Sequence, residues 1–241
     1  HVGANYTQIG DRYTPDYSLT NSGKKEKSVY GGLRYHLNKW DFKMYYSYLD
    51  QNLALLRTSI ANSGNAFVRA INSDEPVFIR LFSYDINEPN QIAQHHLGKL
   101  ELNWWYSDDA KLTLKIGRQL NKRDEFDVRR NAELPIIDLD LITDDYQLEW
   151  KHPGWLMLDG VIGLQIFKQH NDNNPGTGVT PFIPNYKTLR YSSFIIESLE
   201  KNKNTYEAGF RLDYELNSIA GRQTNQTIFS DQFSLFNLTS S

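Results

Sequence analysis

Apolar and polar residues alternate with a period of two along much of this chain, most clearly between residues 206 and 216. Tyr206, Ala208, Phe210, Leu212, Tyr214 and Leu216 occupy one set of alternate positions, and Glu207, Gly209, Arg211, Asp213 and Glu215 occupy the other. Successive side chains of a strand point to opposite sides of a sheet. The pattern therefore predicts a strand with one apolar face and one ionic face.

Similar alternation recurs in about ten segments, joined in turn by short and long connections. Short turns are predicted near residues 38, 108, 153 and 203, the third at His152-Pro153-Gly154. Long connections are predicted at 11–27, 50–95 and 121–143 and in the insert around 173–178, with a short helix near 65–72. This order is typical of outer-membrane barrels, which have brief periplasmic turns and extended external loops. We therefore predict an all-β protein, a transmembrane antiparallel β-barrel.

All five tryptophans lie beside the predicted short turns. They are Trp40, Trp104, Trp105, Trp150 and Trp155. Aromatic girdles form at membrane boundaries, so we expect the five to collect at one boundary.

The composition argues against nucleic-acid binding and against functions that need cysteine. A formal charge of −3 and a pI near 6.1 provide no overall cationic field for nucleic acid. The absence of cysteine removes disulfides, cysteine-ligated zinc and cysteine nucleophiles. A mean hydropathy of −0.59 is compatible with barrel strands, which expose only every second residue to lipid.

The insert and the strand after it resemble the barrel of TonB-dependent outer-membrane receptors of the ferric-citrate and siderophore type. The sequence is Asn173-Asn174-Pro175-Gly176-Thr177-Gly178-Val179-Thr180-Pro181-Phe182-Ile183-Pro184-Asn185-Tyr186. Supporting stretches are residues 13–17, 20–23, 83–87, 95–96, 125–130, 150–153 and 207–214. The resemblance covers nearly the whole chain.

The resemblance implies a barrel of about 22 strands filled by an N-terminal plug, of which the chain supplies about ten strands. Residues 1–241 would then be a partial β-barrel domain, with the plug domain and the C-terminal strands outside this chain. The implied function is uptake of a scarce ligand, such as a ferric chelate, across the outer membrane of a Gram-negative bacterium. The implied partners are TonB with ExbB and ExbD, and outer-membrane lipid or lipopolysaccharide.

The long connections contain our candidate ligand-binding residues. They are Arg57, Asp127, Arg129, Arg130, Asn174, Gly176 and Thr177. Arginine can grip an anionic chelate through bidentate contacts, although a solvated or internally paired loop would have the same composition. The Pro-Gly-Thr-Gly segment lacks the lysine of a phosphate-binding loop, so its glycines are expected to shape an external loop.

A second set of candidates lies on the ionic faces of the strands. It comprises Lys115, Gln165, Gln169, Glu207, Arg211, Asp213 and Glu215. A basic residue facing lipid near the membrane centre costs about 2–4 kcal/mol, so we expect these residues to face the lumen or a plug. Hydration of the interior is their simplest role. Tyr206, Phe210, Leu212 and Tyr214 are expected to face lipid.

Neither metal binding nor catalysis is indicated. Asp138, Asp140, Asp144 and Asp145 do not follow the spacing of an EF-hand, and His95, His96, His152 and His170 lack a companion nucleophile or ligand at convincing spacing. We expect no enzymatic activity and no cofactor. A passive porin and a soluble secreted glycan-binding β-domain remain alternatives, while a barrel hydrolase would need an assembled nucleophile and base.

Overall fold

A ten-stranded antiparallel sheet dominates the computed structural model, which describes residues 1–57, 64–76, 78–128, 133–155, 158–201, 203–223 and 227–240. Its strands lie side by side in chain order, apart from a small two-stranded hairpin inserted after the first strand. Neighbours in sequence are thus neighbours in space, as in the wall of an up-and-down barrel. The predicted all-β antiparallel architecture of about ten strands is confirmed.

The elements follow one another from the N-terminus. They are β1 Val2–Ile9, β2 Arg12–Tyr13, β3 Ser18–Leu19, β4 Lys24–Leu37, β5 Trp40–Ala54, α1 Gly64–Ile71, β6 Asn90–Trp105, β7 Lys111–Phe126, β8 Ile137–Trp155, β9 Leu158–Asn173, β10 Asn185–Lys201, β11 Asn204–Arg222 and β12 Ile228–Ser240. Strands β2 and β3 form the separate hairpin.

The register of the sheet sorts side chains onto two chemically different faces. In one row across the sheet, Ile116, Tyr146 and Ile166 lie directly opposite one another. The adjacent row, on the other side of the sheet, contains Lys115 and Gln147. We call the first side the apolar face and the second the polar face. Alternation places Phe210 on the apolar face and Arg211 on the polar face, in the predicted order.

No second layer covers the apolar face within the described residues. Among the described residues, the only buried hydrophobic side chains are Ala54 and Ala110, and Ala110 lies in the β6–β7 turn, whereas Leu164 and Phe210 on the apolar face are more than half exposed. The polar face is the more covered side, because Asp41 and Asn103 are almost fully buried. With no second layer present, side chains cover one another only on the concave side of a curved sheet. The burial on the polar face therefore indicates that the sheet curves toward that face. A soluble sandwich would instead bury its apolar side.

Strands β4 to β12 contain 13 to 19 residues each. A tilted barrel strand needs only about 9–11 residues to cross a bilayer. On the apolar face, the row after Ile116 and Tyr146 contains Arg118, Asp144 and Lys168. The strands therefore continue past the apolar band with charged residues on the same face.

Short connections join four hairpins at one end of the sheet. Their closing pairs are Leu37 with Trp40, Trp105 with Lys111, Trp155 with Leu158, and Lys201 with Asn204. The turn predicted at His152-Pro153-Gly154 is wrong, because β8 continues to Trp155 with a register shift after His152. Gly154 has a φ of +55°, which glycine adopts without strain, so the Pro-Gly pair forms an irregularity inside the strand.

The predicted long connections are too long at three places. Residues 11–27 include the β2–β3 hairpin and the start of β4, and the 50–95 connection is reduced to 55–89. The 121–143 connection is reduced to 127–136, because Asn121 pairs with Leu141 and Arg123 with Leu139. At the long-connection ends of these strands, polar residues occupy both faces and the hydrophobic alternation ends. The backbone pairing continues there, so the sequence pattern made the strands too short.

The predicted helix is confirmed as α1, which has eight residues and no buried side chain. It lies within the 55–89 connection, and the amide of Asn72 donates to the carbonyl of Val68 at its C-terminal end. Across the described ranges, no helix is long and apolar enough to cross a lipid bilayer.

The tryptophans collect at the hairpin end only in part. Trp40 and Trp104 stack on the apolar face with ring centroids 5.5 Å apart, and Trp150 donates from Nε1 to the hydroxyl of Tyr106 at 2.6 Å. Trp105 lies on the polar face beside Lys111. Its predicted place in the girdle is wrong, because adjacent strand residues face opposite ways. The side chain of Trp155 is outside the described residues.

Candidate functional site

The polar face carries a network of charged and amide groups that links neighbouring strands. Lys43 on β5 donates from Nζ to Oε1 of Glu101 on β6 at 2.8 Å. The same carboxylate accepts from Nδ2 of Asn103 at 2.7 Å, and Oδ1 of Asn103 accepts from the hydroxyl of Thr113 on β7 at 2.8 Å. The side chains on this face are therefore held in place by one another.

A second network crosses strands β8 to β11 and is centred on Arg211. Its Nε donates to Asp213 at 3.0 Å, and its Nη2 donates to Ser192 and to Gln165, each at 2.9 Å. Gln165 extends the network to β8 by donating to Asp145 at 2.7 Å, and Ser192 donates to Asp213 at 2.5 Å. The arginine thus contacts three other strand positions, two of them predicted as interior groups.

The structure places all seven predicted interior residues on the polar face. Lys115 donates to Glu149 at 2.6 Å, and Gln169 donates to Thr143 at 3.0 Å. Glu215 accepts from Asn217 at 2.8 Å. Glu207 is exposed near the β10–β11 turn, separate from the Arg211 network.

A concavity of about 850 Å³ lies on the polar face. Its lining includes Tyr45, Lys99, Glu101, Lys115 and Asp145. Leu97 and Phe167 also line it, so the space offers apolar surface as well as donors and acceptors. Nothing in the arrangement resembles an activated nucleophile beside a base.

The β2–β3 hairpin and the 55–89 connection meet at the buried side chain of Asn21, which follows the hairpin. Its Nδ2 donates to the carbonyls of Leu55 at 2.9 Å and Pro89 at 2.8 Å, and its Oδ1 accepts from the backbone of Asn87 at 3.0 Å. Asn21 has a φ of +61°, a conformation that asparagine tolerates better than most residues. One side chain therefore fastens both ends of the 55–89 connection.

Arg80 forms a second link between this connection and the hairpin. Its backbone donates to the hydroxyl of Thr20 at 2.9 Å, and its Nε donates to the buried carboxylate of Asp11 at 3.1 Å. Its Nη2 also donates to the carbonyl of Asp85 at 2.8 Å. We call these contacts, together with those of Asn21, the Asn21–Arg80 clamp.

Three aromatic side chains lie exposed beside the clamp. Tyr13 stacks on Phe82 with centroids 5.7 Å apart, and Phe82 meets Tyr84 edge to face at 4.9 Å. Gly10 permits this approach, because a Cβ atom there would lie 2.4 Å from the Phe82 ring. The sequence indicated these segments only through the resemblance of residues 13–17 and 83–87. It did not predict their contact.

The predicted ligand residue Arg57 belongs to the same loop cluster. Its guanidinium lies 5.3 Å from the centroid of Phe78, and its backbone donates to the carbonyl of Thr20 at 3.2 Å. The clamp residue Thr20 therefore connects Arg57 with Arg80.

Asn174, Gly176 and Thr177 form a separate cluster in the β9–β10 loop. Asn174 donates from Nδ2 to Asp138 at 2.6 Å, which fastens the loop to β8. Gly176 has a φ of +112°, so the predicted loop-shaping role of this glycine is consistent with its backbone. Thr177 and the fully exposed Phe182 line a pocket of about 180 Å³ beside Arg123, a residue that sequence reasoning missed.

The remaining loop candidates are only partly within the described chain. Asp127 is buried at the start of the 127–136 connection, so its carboxylate is not displayed to an external ligand. Arg129 and Arg130 lie outside the described residues.

Carboxylates meet at the long-connection end of β7 and β8. Asp124 lies directly opposite Asp138. Burial raises the pKa of Asp124, and the charges of Asp138 and Asp140 add to the rise against the lowering effect of Lys122. Asp145, in contrast, lies on the polar face and accepts from Gln165, so the four aspartates considered for calcium do not converge.

Each of the four histidines considered as a ligand contacts a nearby polar group. His95 pairs with Asn121, His96 with Tyr46 at 2.8 Å, His152 with Glu197 at 3.0 Å, and His170 with Asp172 at 3.0 Å. Among the residues that the structure describes, no group of three or more His, Cys, Asp or Glu side chains could hold a metal ion.

No protein-family model matches this chain, and neither does any curated protein. Solved structures do match in fold. The siderophore receptor PiuA from Acinetobacter baumannii matches with a TM-score of 0.65 and 11% identity, over 99% of this chain and 42% of its own. The closed form of the ferric-catecholate import receptor Fiu from Escherichia coli K12 matches with a TM-score of 0.64 and 11% identity, over 99% of this chain and 43% of its own.

The ferric yersiniabactin uptake receptor FyuA from Yersinia pestis matches with a TM-score of 0.54 and 12% identity, over 99% of this chain and 37% of its own. The chain therefore spans less than half the length of each of these receptors. At such identities the likeness establishes the fold, which is that of a section of an outer-membrane receptor barrel.

The clamp predicts a local effect of Asn21→Ala. Removing the amide leaves the groups it contacts without these hydrogen bonds, at a cost of roughly 1–3 kcal/mol. We expect limited trypsin digestion to cleave faster after Arg80, mapped by mass spectrometry. Asn38→Ala is the matched control, because Asn38 also has a left-handed backbone but lies at the opposite end of the sheet. Equal cleavage rates in the two variants would contradict the clamp.

The raised pKa of Asp124 predicts a dependence of stability on pH. A carboxyl group whose pKa is raised on folding stabilises the fold when protonated, and that contribution is lost as pH rises through the raised pKa. Asp124→Asn should therefore raise stability at neutral pH by about 0.2–1 kcal/mol. The gain should shrink as pH falls toward about 3.9, the ordinary value for aspartate.

The measurement is the temperature at which the folded band disappears in semi-native electrophoresis, taken at several pH values between neutral pH and about pH 3.9. Asp108→Asn, in the exposed β6–β7 turn, is the control and should show no such gain. A neutral-pH loss of stability in Asp124→Asn would show that the carboxylate is favourable where it lies.

Proposed function

We propose that this chain forms part of the wall of a TonB-dependent outer-membrane receptor that imports a scarce ligand, an iron chelate of the siderophore type. The observation that carries the proposal is the division of one uncovered, curved sheet into an apolar face and a hydrogen-bonded polar face. Receptors for siderophores and ferric chelates share this fold along 99% of the chain.

In this proposal the apolar face contacts lipid and the polar face lines the interior. The short hairpin turns are periplasmic, and the 55–89, 127–136 and 174–184 connections are external. The edges of the sheet, β1 and β12, pair with further strands of the complete barrel, because unpaired backbone groups in lipid cost several kcal/mol each. Residues 1–241 are then a partial barrel domain around a plug contributed by another part of the protein.

The external connections would capture the ligand. Arg57 and the aromatic group of Tyr13, Phe82 and Tyr84 offer cationic and stacking contacts on a loop that the clamp holds in place. The Asn174–Thr177 segment offers a second, polar surface, and Arg129 and Arg130 remain proposed contributors. The ferric chelate is cargo, and the transport requires neither a resident cofactor nor covalent chemistry from this chain.

Energy would come from TonB, coupled to ExbB and ExbD, acting through the plug. Lys115, Gln165, Gln169, Arg211, Asp213 and Glu215 would form the static wall against which the plug moves. Their hydrogen bonds to one another and to neighbouring strand residues support this role, because groups already paired within the wall need no contribution from the plug to remain ordered.

The assignment of the faces predicts opposite lipid exposure for two serines. Ser193 lies on the apolar face between Leu164 and Leu212, and Ser47 lies on the polar face between Tyr30 and Leu97. Each is changed to cysteine, labelled with a fluorophore and placed in bilayers of brominated lipid. Quenching is expected at Ser193→Cys and not at Ser47→Cys, and the reverse result would reject this orientation.

Growth on defined iron sources tests transport. A strain without the gene should lose growth on at least one ferric chelate, such as a catecholate, and regain it when the wild-type gene is restored. The restored growth should disappear when TonB is also absent, because uptake through a passive porin needs no TonB. Unchanged growth of the deletion strain on every chelate would count against siderophore uptake.

A further inference from the structure

The concavity of about 850 Å³ on the polar face has a glycine, Gly117, near its centre, and we call it the Gly117 recess. Lys99 on β6 and Asp145 on β8 lie directly opposite Gly117, and Lys115 and Gln119 flank it on β7. Among the described atoms, a Cβ atom at Gly117 would meet nothing closer than the Cβ of Asp145, at 4.0 Å. The wall is therefore open at this point.

Cations outnumber carboxylates among the described polar-face side chains that line the recess. The cations are Arg34, Lys43, Lys99 and Lys115, and the carboxylates are Glu101 and Asp145. Lys43 donates to Glu101 at 2.8 Å, and Lys115 donates to Glu149 at 2.6 Å. Lys99 is exposed and has no ion-pair or hydrogen-bond partner among the described residues. The recess therefore contains a positive charge that the wall does not neutralise.

The arginines on the polar face of β10 and β11 are neutralised. Arg190 lies 3.7 Å from Glu215, and its guanidinium also lies 4.8 Å from the centroid of the Phe167 ring. Arg211 pairs with Asp213 at 2.9 Å. An anion that enters the interior would therefore find a free cation at Lys99 rather than at these arginines.

The recess lies within the wall and not among the long connections. Lys99 is nine residues from Asn90 and six residues from Trp105, the two ends of β6. At about 3.4 Å per residue, these separations are roughly 30 Å and 20 Å along the strand. A ligand in the recess would thus be separate from the loop surfaces around Arg57 and Asn174.

We propose that the Gly117 recess binds the anionic group of the imported chelate as it passes along the wall, with Lys99 as its main contact. The inference rests on the transport function given under Proposed function, to which it adds the charge of the cargo and a site within the wall. An ammonium group forms charge-assisted hydrogen bonds with carboxylate and phenolate oxygens.

The size and the lining of the recess favour a small molecule over a single side chain of the plug. Sites for small molecules have volumes of about 300–1,000 Å³ and combine apolar lining with a few polar groups. The recess has about 850 Å³, and Leu97 and Phe167 provide apolar lining. One carboxylate side chain would fill only a small part of this space.

The free positive charge favours negatively charged chelates. In a ferric tris-hydroxamate the charges of the ligand balance that of the ferric ion, whereas ferric citrate and ferric catecholates keep a net negative charge. The cargo is therefore a carboxylate or catecholate chelate rather than a neutral hydroxamate chelate.

Lys99→Gln tests the charge. Variants are made in the complete gene and expressed in the deletion strain, which receives radioactive iron as ferric citrate, a ferric tris-catecholate or a ferric tris-hydroxamate. We expect TonB-dependent uptake of the anionic chelate that the wild type imports to fall about tenfold, the effect of one lost charge-assisted hydrogen bond. Binding to cells without TonB should stay at the wild-type level, because the loops are distant.

Two further lysine variants serve as controls. Lys99→Arg keeps the charge and should keep the uptake. Lys151→Gln removes a lysine from the polar face outside the recess and should also show wild-type uptake.

Gly117→Leu tests the space. The new side chain would extend into the recess without a clash at its Cβ, so we expect a similar loss of uptake with unchanged binding to cells without TonB. Gly98→Leu is the matched control, because Gly98 lies on the apolar face of β6 and likewise has no described atom within 4 Å of a Cβ. Semi-native electrophoresis verifies that each variant is folded.

The possible outcomes separate this inference from the function on which it rests. Wild-type uptake in either Lys99→Gln or Gly117→Leu would overturn the recess as a chelate site and leave the transport function intact, as would import of the hydroxamate chelate alone by the wild type. Entry of a large hydrophilic antibiotic into Lys99→Gln cells would show instead that Lys99 holds the plug. If the wild type imports none of the three chelates, both the transport function and the recess are rejected.

Discussion

Backbone pairing between strands that follow one another in the chain is the interaction on which the whole structure depends. Ten strands join edge to edge with almost no interruption of register, and no packed hydrophobic layer supports them among the described residues. In the proposed barrel, a lipid bilayer would supply what such a sheet lacks, since lipid would cover the apolar face while closure of the barrel would satisfy the backbone at its edges. Curvature toward the polar face would then leave the ionic groups in the barrel interior.

Hydrogen bonding on the polar face complements this backbone framework. Arg211 reaches from β11 to Ser192 on β10 and to Gln165 on β9, and Gln165 contacts Asp145 on β8. Such contacts cross several backbone ladders, so they resist sliding of one strand past another, which would move every side chain to the opposite face. The hydrogen-bond network on the polar face therefore supports the register.

The sequence predicted the apolar band of the strands because their chemistry alternates there. Phe210 and Arg211 could be assigned to opposite faces from their neighbours alone. Beyond the apolar band the sequence no longer distinguishes the two faces, since the consecutive residues Arg123 and Asp124 are both polar although they belong to a paired strand. The Pro153-Gly154 pair was misread as a turn because the same residues also accommodate a bulge. Contacts such as that between Thr20 and Arg80 join positions 60 residues apart, and no local pattern encodes them.

The Asn21–Arg80 clamp joins the β2–β3 hairpin and the 55–89 connection into one structural unit. Asn21 holds Leu55 and Pro89, which adjoin the last residue of β5 and the first residue of β6. A force applied to the exposed aromatic group of Tyr13, Phe82 and Tyr84 is therefore transmitted directly to two adjacent wall strands. Changes in the length of either loop are also constrained, because the hairpin and the connection have to remain matched in order to share one asparagine.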